Sequence, residues 1–363
     1  MYSFEPTEEQ GALVEALRRF ASKELRSRSR QADEKGSLPP EVTGMGWELG
    51  LLPGSIPETF GGFGEHSTVT GVLAAEELAW GDLSGALALT APNLVAFPVL
   101  LCGSPKQKAE VLPEYCADSF VPGAAALLEP RYGFDPGSLQ TRAQRSDKGY
   151  VLAGSKCNVP FAAEAEWMLV YACLEGRTEA FLVRKDTPGV VVKEREANMG
   201  MRACPLYSVD FVGCQVSASE RLGGEAGCDF GLLLNSSRVA LSAMAVGVAR
   251  AAYEYGLDYA KNRKAFGEAI AQRQSIAFTL AEMATDLEAA RLMVWEAAWL
   301  LDQGKDATRE AALAKNFADD MSLAVTDRAL QILGGHGYIR DYPLELWLRN
   351  ARGFAVMEGI ALA

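Results

Sequence analysis

Histidine is nearly missing from this sequence. Only His66 and His336 occur in 363 residues, neither in a ligand-spaced cluster, so no zinc or di-iron centre is expected. The seven cysteines, an odd number without a Cys-x-x-Cys pair, read as reduced and mostly structural thiols. Long hydrophobic runs are lacking: no stretch of about 18 or more apolar residues appears, and no basic leader with a hydrophobic centre opens the chain. A soluble, non-exported, cytoplasmic protein is the expectation. Positive charge is in deficit, with a net charge of −12, which disfavours nucleic acid and anionic membrane as partners. What is plentiful is apolar residue, 49% of the chain, enough for a large core and for more than one domain.

The residue pattern changes period twice. Thr7-Glu8-Glu9-Gln10 has the form of a capping box, and Leu13, Ala16, Leu17, Phe20 and Ala21 follow along one helical face. Pro39-Pro40 and the Gly- and Pro-rich stretch from Gly44 to Gly64 mark connections around a short helix containing Trp47 and Leu49. Val69 to Leu89 reads as helical again, and Ser104 with Pro105 repeats the start signal. From about Val121 to Val216 short β-rich runs follow one another without intervening helices, among them Trp167 to Tyr171 and Val209 to Val212. They point to an antiparallel sheet or small barrel. Beyond Phe230 the helical period holds through Val239 to Arg263, Ser275 to Leu301 and Arg309 to Leu333, the lengths of a helical bundle. The pattern alone gives an α+β chain.

Chemistry-bearing residues concentrate between Gln331 and Gly359. Gly334, Gly335 and Gly337 interrupt a helix and let a ligand or another chain approach the backbone. After Pro343 a second helix leads to Arg349 and Arg352, three apart and so on one face. Phe354, Val356 and Met357 then place apolar neighbours around Glu358, a setting in which a carboxylate makes a usable base. From the residues alone, a solvated glutamate and a plain glycine turn remain the more ordinary readings.

Gln331-Ile332-Leu333-Gly334-Gly335-His336-Gly337-Tyr338, then an arginine-bearing helix, then Glu358-Gly359, resembles the end of an acyl-CoA dehydrogenase. Arg263-Lys264-Ala265-Phe266-Gly267, followed by Gln274, is similar to that family's Arg-x-x-Phe-Gly segment and stands in the family's order and spacing. The resemblance covers essentially the whole chain. It implies an α-helical domain over residues 1–120, a middle antiparallel β domain over 121–222 and a four-helix bundle over 223–363. It also implies FAD-dependent α,β-dehydrogenation of an acyl thioester, on CoA or on a carrier protein: a carboxylate takes the α-proton and the β-hydrogen leaves as hydride to flavin N5. Such chemistry needs a dry site and donors on the thioester carbonyl.

By position the resemblance makes Glu358 the base, with Gly359 beside the substrate carbonyl and Asn235 and Arg238 near the substrate. A salt bridge at a helix start is the equal alternative for Arg238. Arg263, Phe266, Gln274, Gln331, Gly334 and Gly335 correspond to residues that reach the FAD pyrophosphate and adenine across a subunit contact, which implies a homodimer or homotetramer. Leu127, Leu128, Phe134, Val159 and Pro160 fall at flavin-contacting positions, Phe134 near substrate as well. The implied electron acceptor is an electron-transfer flavoprotein or, for an oxidase variant, oxygen.

Departures gather in the middle of the chain. Where the family reads Thr-Glu-Pro-x-x-Gly-Ser-Asp, this sequence has Leu128-Glu129-Pro130-Arg131-Tyr132-Gly133-Phe134-Asp135. The family's Trp-Ile-Thr step is Asn158-Val159-Pro160, without the indole that shields the flavin or the hydroxyl that bonds near it. Ile360-Ala361-Leu362 stands where the family continues with Thr-Ser. These losses support an alternative: a flavin-poor or flavin-free homologue, acting as a non-redox thioester enzyme or as the partner subunit of an active paralogue.

Overall fold

The computed structural model describes residues 5–363. Helix Glu8–Phe20 starts where the capping box places it: Gln10 N–H donates to Thr7 Oγ1 at 3.2 Å, and Thr7 N–H donates to Gln10 Oε1 at 3.0 Å. A π-helical segment, Ala21–Arg26, carries it into Ser27–Lys35. The expected short helix ends at Trp47, and Leu49 lies beyond it. The stretch read as one helix from Val69 to Leu89 is two, Thr68–Gly81 and Leu83–Leu89, because Asp82 takes an extended conformation and its carboxylate caps the second through Gly85 N–H at 2.7 Å. Pro105–Val111 carries the Ser104 cap as its sequence announces.

Seven strands form one sheet: β1 (Ala124–Ala126), β2 (Arg142–Ser146), β3 (Gly149–Pro160), β4 (Trp167–Leu174), β5 (Arg177–Arg184), β6 (Val190–Arg195) and β7 (Leu206–Val216). The order is β1-β4-β2-β3-β7-β6, with β5 on β4. The sheet is mixed, which corrects the antiparallel expectation: β1 runs parallel to β4, and Arg142 of β2 meets Cys173 of β4 in parallel register. The extended runs of this region can be read from sequence, but their pairing partners are set by contacts distant along the chain.

The C-terminal helices are Phe230–Asn262, Gln274–Asp302, Thr308–Ile332 and the shorter Leu344–Phe354. Phe230–Asn262 is long and apolar enough to cross a membrane by length and composition, but 83% of its most apolar window is buried inside the fold. It is the central helix, its apolarity matched to neighbours on every side. Arg349 is consumed structurally, paired with Asp33 at 2.8 Å and Glu345 at 2.8 Å, whereas Arg352 is exposed. The two arginines that sequence spacing put together therefore serve different ends. Asp302 ties the bundle to the N-terminal helices by accepting from Ser67 Oγ at 2.8 Å and Val69 N–H at 3.1 Å.

Candidate active site

The central helix begins with Asp229 as its cap, accepting Leu232 N–H at 3.0 Å, and so fixes the register of Asn235, Ser237 and Arg238. Two consecutive helix residues then hold two consecutive tail residues. Arg238 Nε lies 3.3 Å from Glu358 Oε1, and Ser237 Oγ accepts the Gly359 N–H at 3.1 Å. Gly359 has φ +72°, and a Cβ there would stand 2.7 Å from Leu127 Cδ2, so both backbone and space call for glycine. The tail runs on into the N-terminal helices, where Asn93 Nδ2 donates to Leu362 O at 3.1 Å. Residues from all three parts of the chain thus meet around Glu358.

Both side chains of the Arg238–Glu358 pair are about four-fifths covered, at 20% and 19% relative exposure, and Glu358 Oε2 is buried without a hydrogen-bond partner. A carboxylate with one oxygen anchored and the other unsatisfied in a dry setting is arranged to receive a proton. Arg238 is therefore a salt-bridging residue and the neighbour of Glu358 at once. Of the apolar neighbours expected around Glu358, Phe354 and Met357 are buried and Val356 points to solvent, 71% exposed. Asn235 is buried and donates to Thr308 Oγ1 at 3.1 Å, so its amide holds two helices together.

Beside the tail, the loop after β1 is fixed from beneath by a buried ion pair. Lys156, fully buried on β3, donates to Leu127 O at 2.9 Å and to Glu129 Oε1 at 3.1 Å. Glu129 also accepts the N–H groups of Gln140 at 2.8 Å and Thr141 at 2.7 Å. Burial pulls the Lys156 ammonium down to about 8, with Glu129 opposing. For Glu129, burial works upward, but Lys156 and the N–H donors outweigh it and hold the carboxyl below its usual range. Leu128 is nearly buried and its carbonyl accepts Cys157 N–H at 3.0 Å; Phe134 is half-buried.

Val159 does not behave as its position predicts. It is wholly buried in the sheet core, so its side chain is unavailable to a ligand. The reason is a bulge: between Lys156 and Val159, β3 advances one residue more than β7, and Asn158 takes φ +50° to allow it. Asparagine tolerates that left-handed conformation better than most residues, which accounts for its standing there. Pro160, also buried, ends the strand.

The other group of expected residues lies elsewhere. Arg263 and Gln274 lie on either side of a small hairpin and Phe266 at its turn, all three exposed, Phe266 to 96%. Gln331, Gly334 and Gly335 are exposed at the same end of the bundle, because Tyr259 Oη bonds His336 Nδ1 at 2.7 Å. At about 1.5 Å per residue, the helix from Arg238 to Arg263 spans roughly 38 Å. Within one chain these residues and Glu358 are not brought together. Sequence reasoning missed Ser237 and Lys156 as parts of the site. The available signal was slight: Ser237 directly precedes Arg238.

The sequence matches the N-terminal, middle and C-terminal domains of acyl-CoA dehydrogenases over residues 7–119, 124–214 and 231–361. A Bacillus subtilis (strain 168) protein described as probable acyl-CoA dehydrogenase YngJ is 35% identical over 368 residues, covering 98% of this chain and 96% of that protein. Butyryl-CoA dehydrogenase from Megasphaera elsdenii superimposes with a TM-score of 0.89 at 32% identity, covering 98% of this chain and 95% of the other. The FAD complex of PigA superimposes with a TM-score of 0.88 at 28% identity, over 98% and 95%. Matched along nearly its whole length in sequence and in fold, with a glutamate poised beside an arginine where its three domains meet, this chain belongs to the acyl-CoA dehydrogenase family of oxidoreductases.

Proposed function

We propose that the protein oxidises an acyl thioester, carried on CoA or on a carrier protein, to the α,β-enoyl thioester, with Glu358 as the base. The observation that carries this reading is the pairing at Glu358: Oε1 held by Arg238, Oε2 buried and unpartnered. The Cα–H bond breaks toward Oε2, which gains the proton. Arg238 fixes the carboxylate's orientation, and Ser237 fixes the backbone of Gly359 beside it. Leu127, packed against Gly359, helps keep water from the reacting carbon.

The residues present fit FAD. Gly334 and Gly335 have no heavy atom within 4 Å of where a Cβ would stand, an open cradle next to exposed Gln331. Arg263, with its forked donors, suits a pyrophosphate, and Phe266 and Gln274 stand beside it. When bound, FAD supplies the acceptor for the hydride that leaves the β-carbon. Because that cradle lies so far from Glu358 along the helix, it would serve the site of a second copy, so the working protein is a homodimer or homotetramer. Leu128, Phe134, Pro160 and the backbone at Val159 would offer the flavin ring an apolar bed without a side-chain hydroxyl. An electron-transfer flavoprotein would take the electrons, in the cytoplasm.

One observation favours a second reading, a flavin-poor homologue doing non-redox thioester chemistry at Glu358 or completing a paralogue's site: Leu128 and Pro160 provide no side-chain donor to the ring. The visible absorption spectrum after reconstitution with FAD and desalting separates the two. Retained flavin bands that bleach on adding butyryl-CoA or another acyl thioester are the expected result. A colourless protein after reconstitution would leave the second reading in place.

A further inference from the structure

Two segments far apart in the chain share the exposed end of the bundle: the hairpin entered at Arg263 and the turn Gly334–Tyr338 that follows helix Thr308–Ile332. The turn is loosely held by its own backbone. His336 N–H donates to Leu333 O at 3.3 Å and Ile339 N–H to His336 O at 3.4 Å, both beyond the range of about 2.7–3.2 Å usual for such bonds. Gly334 sits at φ +57°, and nothing lies within 4 Å of where a Cβ would stand on it or on Gly335, so packing does not hold this stretch either. Gly337 is packed: a Cβ there would stand 2.4 Å from Leu330 O. Between the open glycines and the packed one stands His336.

Its side chain supplies what the backbone lacks. His336 Nδ1 lies 2.7 Å from Tyr259 Oη, its ring stacks on Tyr342 with centroids 5.0 Å apart, and Tyr259 meets both rings edge-on at 6.0 and 6.4 Å. Tyr259 also reaches the other segment. Its carbonyl accepts the Arg263 N–H at 2.8 Å where the central helix ends, and Arg263 O in turn accepts the Ile270 N–H of the hairpin's far side at 2.9 Å. Resting on the reading of Arg263 and Gly334-Gly335 as an FAD cradle, we propose that His336 is a positioning residue for that cradle: bonded to Tyr259, it holds the glycine turn in register with Arg263, so that one dinucleotide can bind both. A ligand that spans two segments loses affinity to any drift between them, because the drift must be stopped when it binds.

Titration of the full-length protein, freed of flavin, with FAD tests this without turnover, read by the quenching of flavin fluorescence. H336F keeps a ring for Tyr342 and loses the bond; Y259F loses the bond from the other side. Each should weaken FAD binding roughly five- to tenfold, while the thermal midpoint of the flavin-free protein stays put. The double variant should bind no more weakly than either single one, because the two side chains share one bond. H336N, whose amide can serve Tyr259 as donor or acceptor, should bind FAD nearly as the wild type does. Wild-type affinity in H336F, losses that multiply in the double variant, or a loss in H336N equal to that in H336F each overturn the proposal, as does an affinity that falls only in step with the midpoint of the flavin-free protein. A wild-type protein that takes up no FAD removes the cradle reading itself, and the role of His336 with it.

Discussion

Two clusters of buried charge sit on the central helix, one at Arg250 and one at Arg238, roughly 18 Å apart at about 1.5 Å per residue. At the first, Arg250 pairs with Glu76 and Glu77 at 2.8 Å each, and Arg291 adds a bond to Glu76 at 2.9 Å, so every oxygen of the two glutamates has a donor. At the second, Arg238 reaches only Oε1 of Glu358 and leaves Oε2 bare. Burial of charge is common to both, and so is the helix. The difference is unmet hydrogen-bonding capacity at the carboxylates, since at the first cluster the unpartnered buried atom is a donor, Arg250 Nε. Carboxylates with every oxygen bonded lock the helix Thr68–Gly81 against the bundle; one with a bare oxygen keeps it ready for a proton from elsewhere.

The comparison breaks most sharply at Glu358. E358Q keeps the shape and removes the basic oxygen, so thioester oxidation should fall by about 10²–10⁴-fold while the denaturation midpoint stays put. A variant that turns over normally would take Glu358 out of the mechanism. The opposite pattern belongs to the lock: R250M strips its buried partner from Glu76 and Glu77, leaving Glu77 only the half-exposed Arg18 at 3.4 Å and Glu76 only Arg291, a loss of about 3–5 kcal/mol in stability. Urea denaturation followed by circular dichroism would show it, and a midpoint unchanged from wild type would mean that water reaches these carboxylates after all.

How much of this was legible depended on whether a residue's role was local. Caps at Thr7 and Ser104 announce their helices, because each cap bonds backbone three residues away. Glu358-Gly359 and Arg238 were legible as motif, and their pairing follows from a helix and a tail that local pattern brings into range. Val159 was not: its orientation flips at a bulge set by pairing with β7, a strand some fifty residues on. The covered Lys315–Asp319 ion pair escaped for a related reason. In Ala-Asp-Asp-Met the acids read as a solvated face, and only the packing of Thr308–Ile332 against its neighbours covers Asp319 beside Lys315.

Asp82 sharpens the comparison, because its carboxylate also keeps a bare buried oxygen, Oδ1, yet has no arginine beside it. Burial pushes its carboxyl up to about 7, with Asp33 adding and the Gly85 N–H opposing. An acid whose proton is held more tightly in the fold than in the unfolded chain costs nothing below the unfolded value and its full penalty above the folded one. The penalty of Asp82 therefore grows between about pH 4 and pH 7 and is complete above that. D82N keeps an oxygen for Gly85 and removes the charge, so it should stabilise the protein by about 2–4 kcal/mol at pH 8 and hardly at all at pH 4. A gain that does not depend on pH would show that the carboxyl is not titrating in the fold.

The smallest effect is expected where the site's backbone is held. Ser237 Oγ is the acceptor for the Gly359 N–H in a buried setting, and S237A leaves that N–H without a partner, a loss of about 1–2 kcal/mol. Arg238 would still hold the Glu358 side chain, so the base is loosened from one end only. The expected result is a fall of roughly tenfold in kcat, because small misplacements of a reacting group are felt strongly, with KM little changed. If kcat holds while stability drops, the tail is positioned by Leu127 and the buried residues after Gly359, and the Ser237 bond belongs with the Arg250 lock on the structural side of the comparison.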